Sequence, residues 1–251
     1  MSNIKSSKKF TASKVTLFLV LIYILLFEFT WLTQSVFPKP SLLFDSFLSL
    51  FSDYNLLNAF VETTANIFPA ILISVILIEL FGKTILKILF NFRGIENIKL
   101  PFRYFSFFFL VLLLNLFFQE SFWVEFIFVT LFVFGKFITS ILDGLDSISD
   151  EYINSAKSLG LSENKIISKV IWKELQPNVY KNLTSIHTEV WVVVIIYEFV
   201  GAVNGMGAIY RIAFNYNDLT AIVALGVFIS LIILLVNSII KIVISKLIFW
   251  K

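Results

Sequence analysis

The sequence predicts an all-α membrane protein with six transmembrane helices, and three observations carry that prediction. The chain has 251 residues, of which 58% are hydrophobic and only 15% charged, whereas soluble domains average about 25% charged residues. Mean hydropathy is +0.90. The apolar residues gather into six runs, each close to the roughly 20 helical residues that cross a hydrocarbon core about 30 Å thick. Lipid offers the backbone no hydrogen-bond partners, so each run is expected to be helical.

The first run, Val15–Phe37, is too long for a signal peptide and shows no small-x-small cleavage site near Ser35-Val36-Phe37. It is expected to persist as an uncleaved helix. Pro38-Lys39-Pro40-Ser41 is then a rigid entry into a periplasmic segment that ends near Asn58. The second run is Phe60–Phe81. The third, Phe102–Phe118, and the fourth, Phe122–Leu142, are separated only by Gln119-Glu120-Ser121 and form a helical hairpin. The fifth, Leu183–Val203, and sixth, Leu219–Ile244, follow a long polar island. With no internal repeat or linker, residues 1–251 read as a single transmembrane domain.

Orientation follows from basic residues, which favour the cytoplasmic side. With both termini inside, only Lys39 and Arg211 of the 20 Lys and Arg lie outside. Lys136 counts as inside in this reading, with the basic residues of the polar island. The opposite orientation reverses the bias, so N-in and C-in is the expectation.

Composition also narrows the chemistry. The chain has no cysteine and one histidine, which excludes disulfides, Cys-based metal sites and a His-rich metal site. The net charge of +3 sits between membrane segments and does not point to nucleic acid. No convergent catalytic set is visible, so the chain is not expected to be an enzyme or to bind a cofactor itself.

The polar island, about residues 147–178, contains Glu151–Pro177, EYINSAKSLGLSENKIISKVIWKELQP. Ser149 or Ser147 can cap a helix with Asp150 and Glu151 in its first turn, where the helix dipole favours acids. Ile153, Ala156 and Leu159 give it a short apolar stripe. Gly160 permits a sharp turn, followed by Leu161. Ser162 can cap a second helix, with Ile166, Ile167, Val170 and Ile171 on its apolar face and Lys165, Lys169 and Lys173 on its basic one. Pro177 is expected to end it. Physical pattern alone leaves two readings open: a lever gripped by a partner protein, or an interfacial amphipathic helix held by lipid headgroups.

This segment resembles the cytoplasmic coupling loop, the "EAA" motif, of bacterial ABC importer permeases. The small-residue triplet is Asn154-Ser155-Ala156, with Asn154 where the family pattern has an acid. The glycine four residues on is Gly160, and the closing proline is Pro177. A second stretch, Tyr197-Glu198-Phe199-Val200-Gly201-Ala202 followed by Gly205-Met206-Gly207, is similar to the nitrate/sulfonate/taurine-type permeases. The resemblance covers about residues 38–251. It implies a bacterial inner-membrane, multi-pass permease that works as a homodimer. It also implies two cytoplasmic ABC ATPases, which would carry ATP and Mg²⁺, and an extracytoplasmic substrate-binding protein. In that family Glu151, Asn154, Ser155, Ala156, Gly160, Leu161 and Pro177 would belong to the ATPase-coupling element.

Ionisable groups inside a membrane are costly and point to function by default. On the fifth run, Thr184, His187, Trp191, Val194 and Glu198 share one helical face. That face could line a pathway or could lie inside the helix bundle. Glu198, near the outer end, could pair with Arg211 or meet a binding protein. Glu62 and Glu79 fall near helix ends, where snorkelling makes them unremarkable in role; Glu28 lies deeper. Gly205 and Gly207 with Asn204 are expected to form a tight turn or a broken-helix entry on the outer side, acting as a turn or gate. No Gly-Lys-Ser/Thr follows them, so they are not a phosphate loop. A small anion such as a sulfonate, taurine or nitrate is the expected solute. A pyrimidine or other vitamin precursor is the alternative solute, and a secondary transporter or channel the alternative class.

Overall fold

The computed structural model describes residues 18, 21–28, 38–91, 107–118, 121–146, 148–201 and 204–248. Among these residues the structure is helical, with no strand. Residues 21–28 are helical; the rest of the first expected run, apart from residue 18, lies outside the described residues.

The segment that follows Pro38-Lys39 contains a helix, α1 (Pro40–Ser52), which the sequence reading does not assign. Proline in its first turn suits a position whose missing N–H would have no intrahelical partner. Asn55, at φ 52°, turns the chain into α2 (Leu56–Asn91). At 36 residues, α2 is about 54 Å long, far beyond the expected Phe60–Phe81. Its buried face has helical spacing, with Thr63, Ile67, Ala70, Ser74 and Ile78 fully buried. Basic residues at Lys83 and Lys87 end the apolar run without ending the helix.

The third run is seen as α3 (Phe107–Phe117), its expected start at Phe102 lying outside the described residues. The fourth is α4 (Phe122–Asp146), one turn longer than expected. The polar island folds into α5 (Asp150–Ser158), α6 (Glu163–Lys165), a π-helical stretch Ile166–Ile171, and α7 (Trp172–Lys181). Pro177 lies inside α7 and does not end it. A turn at Asn182 leads into α8 (Leu183–Gly201). Then come α9 (Met206–Asn215) and α10 (Leu219–Leu247). Among the described residues, four helices are long and apolar enough to cross a membrane: α2, α4, α8 and α10.

Two compact units result. One comprises the described residues of Met1–Leu57 with Ile209–Ile229, the other those of Asn58–Ala208 with Ser230–Lys251. In the first, Phe47 and Phe51 of α1 meet Phe228 of α10 at ring-centroid distances of 6.0 and 6.3 Å. Asp218 caps α10: its Oδ1 accepts from Ala221 N at 2.9 Å and Thr220 Oγ1 at 2.7 Å. Its Oδ2 accepts from the Tyr54 hydroxyl at 2.8 Å. Burial works against the Asp218 carboxylate, but the hydrogen bonds from Ala221, Thr220 and Tyr54 outweigh it and hold its pKa below the usual value. Burial, then the bond to Asp218, pushes the Tyr54 phenol up to about 12.

In the second unit, α8 packs on α3 and α4, and α4 on α7. The core is built from Phe128, Val133 and Phe137 of α4 with Val190, Val194 and Tyr197 of α8, and Phe128 stacks on Tyr197 at 5.5 Å. The site is seated on this bundle.

Candidate functional site

The polar island is the most distinctive element of the molecule. Ser149 caps α5, its side chain accepting from Glu151 N at 3.1 Å. Ile153 and Ala156 turn inward, as the spacing predicted. Leu159 does not; it is 80% exposed, because the helix has ended before the stripe returns to its buried side. The ending is a paired turn: Leu161 N donates to Ala156 O at 3.3 Å and Gly160 N to Lys157 O at 2.9 Å. These two bonds use carbonyls that the helix end would otherwise leave open. The turn needs Gly160 at φ +73°, and a Cβ there would meet nothing within 4 Å. The requirement is therefore backbone handedness and not small size.

Ser162 begins α6 without a side-chain capping bond. Ile166, Ile167 and Ile171 are buried, within a stretch where the ladder switches to i→i+5 bonds; Trp172 N donates to Ile167 O. Such π-bulges rotate the side chains that follow. Here Trp172 and Leu175 come to face the bundle, buried at 2% and 1% exposure. Both enter sockets made by glycines. A Cβ at Gly82 of α2 would lie 2.8 Å from Trp172 Cζ2 and nearer still to Cη2. A Cβ at Gly144 of α4 would lie 2.6 Å from Leu175 Cδ2.

Polar contacts reinforce the seat. Tyr180 donates to Glu79 of α2, and Gln176 Nε2 donates to the same carboxylate at 3.4 Å. Asn182 Nδ2 donates to Ser140 Oγ of α4 at 3.0 Å. Burial, then the bond to Glu79, raises the Tyr180 phenol above its usual range. Glu79 thus ties the polar island to α2, a correction to the snorkelling role expected of it; it sits mid-helix because α2 continues to Asn91. Meanwhile Glu151, Tyr152, Asn154, Ser155, Lys157, Ser158 and Gly160 remain exposed. The island therefore has one face locked onto α2 and α4 and another left open.

The face of α8 carrying His187, Trp191 and Glu198 is turned into the bundle, and all three are fully buried. Trp191 Nε1 donates to His187 Nε2 at 3.0 Å, which leaves the proton on Nδ1 to donate to Asn237 Oδ1 of α10 at 3.0 Å. Asn237 Nδ2 donates to Thr188 Oγ1 at 2.9 Å, and Thr188 donates to Thr184 O at 3.0 Å. The row is a satisfied hydrogen-bond chain ending on a backbone carbonyl. Of the two locations open to it, it occupies the interior.

Glu198 is likewise enclosed. Thr63 Oγ1 donates to its Oε1 and Gly207 N to its Oε2, each at 2.7 Å. Met206 N donates to Thr63 Oγ1 at 2.9 Å. The carboxylate so satisfies the open amide end of α9, where helix dipoles favour a negative group. Gly205 turns at φ +130°, and a Cβ there would strike the carboxylate, 2.6 Å from Oε2. Gly207 lies in α9 and not in the turn; its Cβ would lie 2.6 Å from Glu198 Cβ and 2.7 Å from Phe199 N. Nearby, the buried carboxylate of Glu125, Asn66 Oδ1 and the Tyr197 hydroxyl have no hydrogen-bond partner within the described protein.

Sequence reasoning missed Gly82, Gly144, Trp172, Thr63 and Asn237. Their partners lie tens of residues away, and only the Gly-to-bulky complementarity could have signalled the pairs. It also did not foresee the partner of Lys136. That residue lies within α4, ten residues before the helix ends at Asp146, and pairs with Glu189 of α8.

The fold is that of a polytopic helical membrane protein with a polar, partly open segment braced between two of its long helices. The family model for binding-protein-dependent transport system inner membrane components matches residues 11–248, and the chain belongs to that family. It is accordingly a membrane permease component of binding-protein-dependent ABC transport, a subunit type that is generally non-enzymatic. No curated protein sequence matches the chain significantly.

Proposed function

We propose that this chain is the permease subunit of an ATP-driven importer of the nitrate/sulfonate/taurine type, with six spans and both termini in the cytoplasm. It would act as a homodimer in a bacterial cytoplasmic membrane, with two cytoplasmic ABC ATPases and an extracytoplasmic binding protein. ATP and Mg²⁺ would sit on the ATPases; this chain supplies the path and the coupling.

The observation that carries this reading is the two-faced polar island. ATPase motion would be received by the open face, which presents Glu151, Asn154, Ser155, Gly160 and Leu159. It would pass through Ala156 and the paired turn at Gly160-Leu161. Trp172 and Leu175, seated against Gly82 and Gly144, would then carry it into α2 and α4. Pro177, inside α7, lies between Leu175 and Tyr180 in the seated stretch. A surface helix held only by lipid would have no use for glycine sockets on two separate helices. Glu198, Gly205 and Gly207 would fix the first residues of α9 against α8.

The test is uptake in proteoliposomes containing this chain, its ATPase and its binding protein. ATP-dependent accumulation of a small sulfonate or nitrate-like anion supports the reading. Uptake driven by an ion gradient without the ATPase would overturn it.

A further inference from the structure

Three contacts close an interior junction among α2, α4 and α8. Ser74 Oγ of α2 donates to Thr130 O of α4 at 3.2 Å. Phe128 of α4 stacks on Tyr197 of α8 at 5.5 Å. Thr63 Oγ1 of α2 donates to Glu198 Oε1 of α8 at 2.7 Å. Helical spacing then brings three polar side chains to the same place. Asn66 lies three residues after Thr63, Glu125 three before Phe128, and Tyr197 directly before Glu198. Glu125 and Tyr197 are fully buried, and Asn66 is 2% exposed. Asn66 lies beside the Glu125 carboxyl, and Tyr197 is within its electrostatic reach.

Both carboxylate oxygens of Glu125, Asn66 Oδ1 and the Tyr197 hydroxyl make no hydrogen bond within the described protein. The charged groups acting on Glu125 are Glu198 and Glu62, both acids, and among the described residues no basic side chain balances it. Glu198 already accepts from Thr63 Oγ1 and Gly207 N. Buried charges are paired or hold an ion, and an orphaned buried polar group points to water or an ion beside it.

We propose that Glu125, Asn66 and Tyr197 hold a monovalent hard cation, sodium, at the junction of α2, α4 and α8. The donor set is all oxygen, which suits hard cations and not those that prefer nitrogen or sulfur. Its single carboxylate supplies one negative charge, which a monovalent ion neutralises. Among the described residues no group of three His, Cys, Asp or Glu is placed to hold a metal ion, so the charge that divalent sites gather is missing. A proton would also cancel the charge of Glu125. The phenol can donate and the carboxylate accept, however, and the two make no bond. They are held apart, and a proton cannot span that gap, whereas a cation coordinated from both sides can. The site is independent of the importer reading and of the solute carried.

The test is thermal unfolding of the purified full chain in detergent. Sodium chloride is exchanged for N-methyl-D-glucamine chloride at constant ionic strength. Ligand that binds only the folded state raises its stability along a saturating curve, so sodium should raise the wild-type Tm by several degrees. Glu125→Gln should unfold at the same temperature in both salts. Tyr197→Phe keeps the charge and loses one oxygen, so it should need several-fold more sodium to reach half of the gain. A merely structural role for Tyr197 would lower Tm at every sodium concentration without moving that midpoint, which keeps the test decisive if Glu125→Gln does not fold. Equal Tm of wild type in the two salts overturns the site. A sodium gain kept in full by Glu125→Gln, or a midpoint unmoved in Tyr197→Phe, also overturns it. These readings need no ATP, solute or partner, so their failure and that of the importer reading are distinct.

Discussion

Gly82→Ala is a one-carbon change with a large expected consequence. The new Cβ would lie 2.8 Å from Trp172 Cζ2 and 3.0 Å from Cζ3, with Cη2 closer still. The indole is rigid and buried to 2% exposure, so it cannot swing its far end aside as a lysine or methionine could. Either Trp172 backs out of its socket or α2 and α7 separate. Overpacking of this kind typically costs about 1–3 kcal/mol. The cost falls on the contact that joins the polar island to α2, so coupling should suffer more than membrane insertion. The assay is thermal unfolding in detergent together with solute-stimulated ATP hydrolysis by the assembled complex. Gly82→Ala should unfold earlier and uncouple. Trp172→Leu alone should lose packing, as large-to-small core changes do. The double variant should recover part of both losses, because the smaller side chain makes room for the new methyl. A double variant no better than the sum of its parts would show that the two residues do not couple. Gly82→Ala with full stability and coupling would refute the socket.

Other perturbations have equally definite expectations. Gly160→Val should insert normally but lose ATPase association, because a β-branched residue resists φ +73°. Gly160→Asn should retain most of it, and equal activity of the two variants in an ATPase pull-down would contradict the turn. Gly207→Ala should destabilise α9 against α8 by about 1–3 kcal/mol, since the methyl would meet backbone at Phe199 N; unchanged thermal unfolding would contradict the enclosure of Glu198. The Tyr54 phenol, raised to about 12, favours the folded state while protonated. That contribution should be complete below about pH 10, the free-tyrosine value, and be lost as pH rises through 12. Tyrosinate absorbance, referenced to Tyr54→Phe, should move toward 10 in Asp218→Asn.

Much of this architecture is legible in the sequence because lipid permits one backbone solution and because caps are local. Ser149, Asp150 and Glu151 announce the start of α5, and Gly160 its end, within a few residues of the contacts they make. The apolar runs locate α2, α4, α8 and α10. Hydropathy gives poor boundaries where a helix leaves the membrane, however, so Lys83 and Lys87 hid the last turns of α2. Pro177 read as a stop because proline usually is one, but a π-helical stretch precedes it and the packing of Leu175 and Val179 carries the helix past. The row His187, Trp191, Glu198 showed that α8 has a polar face. It could not show which way that face turns, because Asn237 and Thr63, which satisfy it, lie on other helices. The partner of Lys136 was hidden for a similar reason: Glu189 is 53 positions away in the numbering.

The central claim is that the open face of the polar island meets the ATPase in the cytoplasm, and Leu159 offers the most direct test. Its side chain is 80% exposed beside the turn at Gly160, and Leu159→Cys would be the sole thiol of the chain. A membrane-impermeant maleimide should label it in inside-out vesicles but not in intact cells, and added ATPase should protect it. Labelling from outside, or labelling unaffected by the ATPase, would contradict the account.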